Sequence, residues 1–296
     1  RHGVEVALVD TNGYQTFQPM LYQAATGITA ISDIEYPLTD IPKVEAIKDT
    51  VTSVDLANST VTLAGGATLE ADYIVVATGA TVNFFGTTGA AEFAFPLYTS
   101  DDASRIGQRG KELVESGKNF AVAVIGAGAT GVEISGAIID TLYDLYPRTF
   151  PDFKRESVTV HIIDRGAAPL AHMSESSQKY ATEVLTKAEV NLHLGRGVTE
   201  MKADSVTLDD GTVLAADVTI WAGGLTVHLP SIEPAPELDS HGRVIIEPDL
   251  RIAGKNNAYC IGDVSADRKN PLPQLGSVAK QQGIAVAHAI CRQLKG

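Results

Sequence analysis

The stretch KNFAVAVIGAGATGVEISGAIID, residues 118–140, decides how this chain folds. Phe120 to Ile125 is an apolar run of strand length, Gly126, Gly128 and Gly131 follow it, and a helical stretch comes next. That order is the strand, glycine turn and helix of a dinucleotide-binding βαβ unit. Gly126 permits the tight turn, Gly128 lets backbone approach a pyrophosphate, and Gly131 lets helix and strand pack closely, with the phosphates at the helix N-terminus. Downstream, VTVHIID (158–164) reads as the second strand, and Asp164 at its end is placed to accept hydrogen bonds from a ribose. The carboxylate favours a free 2′-hydroxyl, hence NADH over NADPH, while Arg165 beside it pulls the other way. Asp164 lies further from the glycines than the usual distance of about 20 residues. The excess is DLYPRTFPDFKRE (144–156), where Pro147 and Pro151 are expected to end a helix and mark a loop.

Working outward, the chain repeats itself. VTLAGGATLEADYIVVATGA (61–80) aligns without gaps on VTLDDGTVLAADVTIWAGGL (206–225), sharing among others Val61/Val206, Gly66/Gly211, Asp72/Asp217 and Gly79/Gly224. Upstream of each lies a strand with a terminal acid, VEVALVD (4–10) and VTVHIID (158–164). The opening RHGVEVALVD (1–10), with its apolar Val4, Val6, Leu8 and Val9, therefore reads as the second strand of a first nucleotide fold, and Asp10 as its ribose acid. The strand and glycine loop of that fold are expected to be missing from the chain as given. Thr99 and Asp102 stand in capping-box spacing at the start of a helix. Ser174 can cap another that carries Tyr180, Ala181, Val184, Leu185 and Ala188 on one face, followed by a strand over 190–194. HLPSIEPAPEL (228–238) reads as an extended exit linker. The fold class expected is α/β, with two Rossmann-like dinucleotide-binding domains. A nicotinamide domain over 97–232 is inserted into a discontinuous flavin domain formed by 1–96 and 233–296.

Composition sets the outer bounds. The 296 residues suit roughly two domains. Hydrophobic residues at 44% and charged residues at 20% are those of a globular chain with a sizeable core. A net charge of -13 opposes binding to phosphate backbones and to anionic lipid surfaces. Cys260 and Cys291 are too few and too widely spaced for a disulfide framework, so a reducing cytoplasm is expected. No signal peptide or membrane-spanning segment is read.

Three ordered motifs, VIGAGATGVE (124–133), the strand ends VVATGA and IWAGGL, and GRVIIEPDLRIAGKNNAYCIGDVSA (242–266), resemble the flavoprotein pyridine nucleotide oxidoreductases. The resemblance implies FAD and NADH as cofactors, with Asp263 on the ribitol chain and contacts at Thr78, Gly79, Gly224 and Gly262. FQPMLYQAATG (17–27) is similar to the signature of type II NADH dehydrogenases and holds no redox cysteine pair, which excludes a thiol relay there. It implies that Pro19 to Gln23 cover an edge of the flavin, with Met20 and Leu21 open to the alternative of core packing. PLPQLGSVAKQQGIAVAHAI (271–290) stands where that group has its quinone-side helix, with Gly276-Ser277 in place of the usual Ala-Gln. Its N-terminus at Leu275 and Gly276 is expected to face the flavin pyrimidine, and Gln281 the quinone. Glu133 is expected to orient the nicotinamide or handle a proton, against the alternative of a solvent-side helix glutamate.

The implied activity is hydride transfer from NADH to FAD and onward to a quinone-type small-molecule acceptor. Two alternatives are a reductase for ferredoxin or another small redox protein, and an NADH-binding module that holds no flavin. A homodimer is compatible with the resemblance. A longer parent is expected to sit peripherally on the cytoplasmic face of the membrane through a C-terminal segment that this chain lacks. His161, His172 and His193 stand isolated in the sequence, so no metal site is expected. Trp221 and Cys260 read as core.

Overall fold

The structure, a computed structural model, describes residues 3–269 and 272–295. Arg1, His2, Asn270, Pro271 and Gly296, which the opening and closing motifs include, lie outside the described residues. The chain forms two compact units, one from 1–15, 37–81 and 225–296, the other from 16–36 and 82–224.

The first unit takes strands from both ends of the chain. Its first part contributes β1 (Ala7–Asp10), β2 (Glu45–Lys48), β3 (Val51–Asp55), β4 (Thr60–Leu63), β5 (Thr68–Glu70) and β6 (Ile74–Val76). The chain leaves this part once, for the segment 16–36 that carries helix α1 (Leu21–Ala25) of the other unit.

The central unit then runs through β7 (Ala94–Pro96), α2 (Ser100–Glu115), β8 (Phe120–Ile125) and α3 (Ala129–Asp140). A π-helical turn over Thr141–Leu145 leads into α4 (Tyr146–Thr149) and on to β9 (Val158–Asp164) and α5 (Glu175–Lys187). It closes with β10 (Asn191–Leu194), the meander β11 (Val198–Met201), β12 (Ser205–Leu208) and β13 (Val213–Ala215), and β14 (Val218–Trp221). Back in the first unit lie β15 (Ser231–Glu233), β16 (Val244–Ile246), β17 (Ala258–Cys260), β18 (Ser265–Asp267) and α6 (Gly276–Gln293).

In the central unit β7, β14, β8, β9 and β10 form one parallel sheet in that order. Every residue of β8 is buried, because a central parallel strand is flanked by strands on both edges and covered on both faces. One face packs on α1, α2 and α3 through Leu21, Ile106, Val122, Val124, Ile134 and Ile220; the other packs Ala123, Ile125, Ile163 and Trp221 on the β11–β13 meander. Both expected caps are present. The Thr99 hydroxyl accepts from the Asp102 amide at 3.1 Å while the Asp102 carboxylate accepts from the Thr99 amide at 2.9 Å. Ser174 caps α5 by accepting from the Ser177 amide at 3.3 Å.

The first unit holds a four-stranded sheet in the order β15-β3-β4-β5 and three separate parallel pairs, β1–β2, β6–β17 and β16–β18. Its core is built from Val54, Ile74, Val76, Val244, Ile246, Cys260 and Val264.

Several expectations are corrected. The opening strand is only Ala7–Asp10, and Val4 and Val6 ahead of it are 54% and 47% exposed, since β1 pairs with β2 along one edge alone among the described residues. Pro147 does not end the helix. The wider π-helical turn before it removes the need for its missing N–H, and helix continues to Thr149. On α5 only Ala181 and Leu185 are buried, four residues apart, whereas Tyr180 is 70% exposed and Val184 faces out beside it.

The unit edges also differ from 97 and 232. Residues 94–96 pair with β14 in the central sheet, and 231–233, inside the supposed linker, pair with β3 in the first unit. Residues 16–36 join the central unit because α1 packs on α2 and α3.

Candidate functional site

The glycine loop after β8 is a backbone-on-backbone device. Gly126 has φ of +106°, and a Cβ there would lie 2.5 Å from the Ala222 carbonyl oxygen. A Cβ on Gly131 would lie 1.8 Å from the Gly126 carbonyl oxygen, so helix and turn touch where a side chain would stand. Gly128 differs. It is the N-cap of α3, a Cβ on it would meet nothing within 4 Å, and no side chain caps the helix. Unpaired amides with open space in front of them are what an approaching phosphate needs.

Asp164 joins this loop. Its Oδ2 accepts from the Ala127 amide at 2.6 Å and its Oδ1 from the Gly166 amide at 2.5 Å. A carboxylate has about four acceptor positions, so two remain for a ribose hydroxyl. Glu133 lies on the first part of α3. The residue is exposed, yet the surrounding protein desolvates its carboxyl enough to raise it above the usual carboxylate range. At the end of β14, Gly224 has φ of +151°, and a Cβ there would lie 2.6 Å from the Phe85 ring. Trp221 is core, its indole donating to the Asn83 carbonyl at 2.9 Å.

In the first unit, β6 runs to Thr78 and to Gly79 at φ of +70°, and β17 pairs with it in parallel and runs to Gly262 at φ of +73°. The Gly262 amide donates to the side chain of Gln282, 7% exposed on α6, at 2.6 Å. Asp263, next in line, is half-buried. Burial raises its carboxyl, partly opposed by the Arg243 charge, and its carboxylate has no hydrogen-bond partner among the described residues. Leu275 is the N-cap of α6 and Gly276 its first residue, with no side-chain cap.

Gln281 points outward and donates to the Ser277 carbonyl of its own helix at 3.1 Å, so the inward glutamine is Gln282. Asp10 at the end of β1 accepts from the Asn12 amide at 2.7 Å. Pro19 is exposed in the segment that belongs to the central unit, where Leu21 is buried in the core and Met20 packs against it.

One pairing escaped sequence reasoning. His161 and His193 stand on β9 and β10, and the register puts them on one sheet face with His161 Nδ1 and His193 Nε2 3.1 Å apart. Desolvation lowers both below the ordinary histidine value; each is further affected by charge, His161 pushed down by His193 and His193 pulled up by Asp210. The sequence carries no local signal for the pair, because it follows from the strand register, in which His193 lies beside Ile163 and Ile163 shares a face with His161.

A five-stranded parallel sheet with an open glycine cradle, and a second unit repeating its strand-end glycines, define a protein of two dinucleotide-binding folds. The chain belongs to the pyridine nucleotide-disulphide oxidoreductase family, whose profile matches residues 1–283. It is 30% identical over 321 residues to the type II NADH:quinone oxidoreductase Ndh of Mycobacterium tuberculosis, covering 100% of this chain and 69% of that protein.

Two solved structures share the fold. NDH2 from Plasmodium falciparum in complex with NADH has a TM-score of 0.82 at 21% identity, covering 89% of this chain and 60% of its own. The sulfide:quinone oxidoreductase of Aquifex aeolicus has a TM-score of 0.84 at 21% identity, covering 98% and 71%. The chain thus spans about two thirds of the lengths of these relatives.

FAD and a pyridine nucleotide are the cofactors of this family, and the Plasmodium falciparum structure holds NADH. For NADH the residues fit: an uncapped helix N-terminus lies behind an open Gly128. For the flavin the fit is at the sugar end, where the unpartnered Asp263 carboxylate beside Gly262 suits a polyhydroxyl chain. Among the described residues no glycine loop stands beside β1. No helix among them is long and apolar enough to cross a membrane.

Proposed function

We propose that the chain takes a hydride from NADH and delivers the electrons, by way of FAD, to a quinone-class acceptor. The observation that carries this reading is the cradle at Gly126–Gly131, rigid at Gly126 and Gly131 and open at Gly128. In this reading the central unit holds NADH and the other holds FAD. The amides at the start of α3 bind the pyrophosphate, and the free acceptor positions of Asp164 bind the adenosine ribose.

Glu133 orients the nicotinamide and, with its raised carboxyl, holds a proton at higher pH than an ordinary glutamate. Asp263 accepts from the ribitol, while Thr78, Gly79, Gly224 and Gly262 present backbone to the cofactors. Asp10 accepts from the flavin's adenosine ribose. The N-terminus of α6 at Leu275 and Gly276 favours negative charge on the flavin, an effect of about 0.3 to 1 kcal/mol. Pro19 covers a flavin edge, and Gln281 faces the acceptor. The two cofactors supply the chemistry, hydride donation and two-electron acceptance; the protein supplies orientation and electrostatics.

The relatives' names support quinone as acceptor, and a lipid-dissolved acceptor supports a peripheral position at the cytoplasmic membrane face. The test is a visible spectrum of the purified protein before and after anaerobic NADH, followed by turnover with a soluble quinone and with ferredoxin. Flavin bleached by NADH and re-oxidised by the quinone is expected. Flavin re-oxidised by ferredoxin alone, or protein without flavin, overturns the quinone assignment. For the nucleotide, Gly128→Leu is expected to abolish thermal protection by NADH, and unchanged protection refutes the cradle.

A further inference from the structure

Two stretches that the nucleotide fold leaves unused, residues 144–156 and the end of the segment 17–27, meet in the central unit. Between them and α2 lies a groove of about 390 Å3, open to the surface and lined by Ile31, Gln108, Lys111, Leu145, Tyr146 and Phe150. A recess of about 50 Å3 adjoins it, lined by Ile106, Phe120, Val122, Ile138 and Leu142, and the two share Thr26 and Tyr146. The larger space is within the range of about 300–1,000 Å3 usual for ligand sites. The recess by itself admits no more than a methyl-sized group.

The walls are held by backbone. A Cβ on Gly107 would lie 3.2 Å from the Ala25 carbonyl oxygen, and one on Gly110 would lie 3.2 Å from the Tyr146 hydroxyl, so both glycines draw the opposite wall onto α2. The π-helical turn at Thr141–Leu145 sets the far wall, and such turns are frequent at functional sites. Tyr146 is fixed edge-on to Phe150 and Phe153 at 5.6 and 5.5 Å, and its hydroxyl, which is open to solvent, has no protein hydrogen-bond partner among the described residues.

Polar groups on the rim have partners on their own helix: Lys111 lies 3.8 Å from Glu115, and the Gln108 amide donates to Glu112 at 3.0 Å. An anionic ligand would gain little from so exposed a lysine. A neutral one gains apolar walls and a hydroxyl that is not committed to any protein acceptor.

We propose that this chamber binds a small uncharged amphipathic molecule, a ring or short alkyl body bearing one carbonyl or hydroxyl, with its oxygen on Tyr146 and its apolar end at the recess. The site is separate from the nucleotide cradle and does not rest on the electron-transfer reading. The test uses the purified chain with labelled isoleucine and leucine methyls, titrated with α-tetralone, a bicyclic ketone, and with tetralin, which lacks the oxygen.

Saturable shifts at Ile31, Ile106, Leu142 and Leu145 are expected with both. Tyr146→Phe should weaken tetralone roughly five- to tenfold, the effect of one hydrogen bond, and leave tetralin unchanged. Gln108→Trp, at an exposed position, should fill the mouth and abolish both. Thr149→Trp replaces it if the first variant alters methyls away from the chamber. No saturable shift at these methyls, shifts confined to Ile125 and Ile163 beside the glycine loop, equal loss of both probes in Tyr146→Phe, or full binding in the tryptophan variant each overturns the proposal.

Discussion

In the central unit five parallel strands run side by side, β7-β14-β8-β9-β10, whereas the strands that the repeat makes equivalent in the other unit form two separate pairs, β17–β6 and β1–β2. The position equivalent to β8 is not filled by any described residue. The strand ends show what that position contributes. Asp164 and Asp10 each accept from the amide two residues ahead, Gly166 and Asn12, in the same local turn. Only Asp164 also accepts from the glycine loop, through Ala127. The loop is therefore a structural partner of the second strand's acid as well as a place for phosphate, and Val75 on β6 stays 40% exposed where its counterpart in β14 is buried on both sides.

The sharpest way to break the comparison is Gly131→Ala. A Cβ placed 1.8 Å from a backbone oxygen forces α3 off the turn, and a loss of about 3 kcal/mol or more is expected in urea unfolding, with Gly128→Ala within about 0.5 kcal/mol of the parent. Next in size, Asp164→Ala should cost about 2–3 kcal/mol because two amides lose a charged acceptor, and Asp10→Ala about 0.5–1 kcal/mol because one does. Equal losses would show that the loop contact contributes nothing.

A smaller effect comes from the histidine pair. Both folded-state pKa values lie below the ordinary 6.5, mainly through desolvation, so the unfolded state binds more protons as pH falls through that value. Stability contributed by the neutral pair is full above the ordinary value and is lost on acidification toward the lowered folded values. His193→Gln should show a smaller fall in Tm between neutral and mildly acidic pH than the parent.

Smallest is Asp263→Asn. Its carboxyl is raised above 3.8, chiefly by burial, so the ionised form weakens the fold as pH rises through the raised value. Without flavin the variant should melt slightly higher at neutral pH, and with flavin it should release the cofactor faster. An unchanged release rate would remove Asp263 from the proposed site.

Local patterns were legible because local physics sets them. The strand Phe120–Ile125, the caps at Thr99 and Ser174 and the hairpins of both repeats follow from apolar runs, short polar side chains and glycine turns within a few residues of each other. Pro147 misled because its effect depends on the hydrogen bonding of the turn before it, which a π-helical turn changes. Tyr180 and Val184 misled because apolar residues adjoining a helix's buried stripe face inward only if a neighbour covers them. Gln281 and Gln282 are adjacent and chemically identical, and only the helix phase against Gly262 separates the exposed one from the anchor.

The amino-acid sequence by itself determined the repeated nucleotide fold, the glycine cradle and the strand-end acids, since each rests on residues within one strand, turn or helix. Only the tertiary structure decided that 16–36 joins the central unit, that His161 and His193 share a proton-sized gap, and that a chamber opens between α1, α2 and α4. Those features join residues up to more than a hundred positions apart along the chain, as where Thr141 donates to the Thr26 carbonyl, and contacts of that range depend on packing that no local pattern encodes.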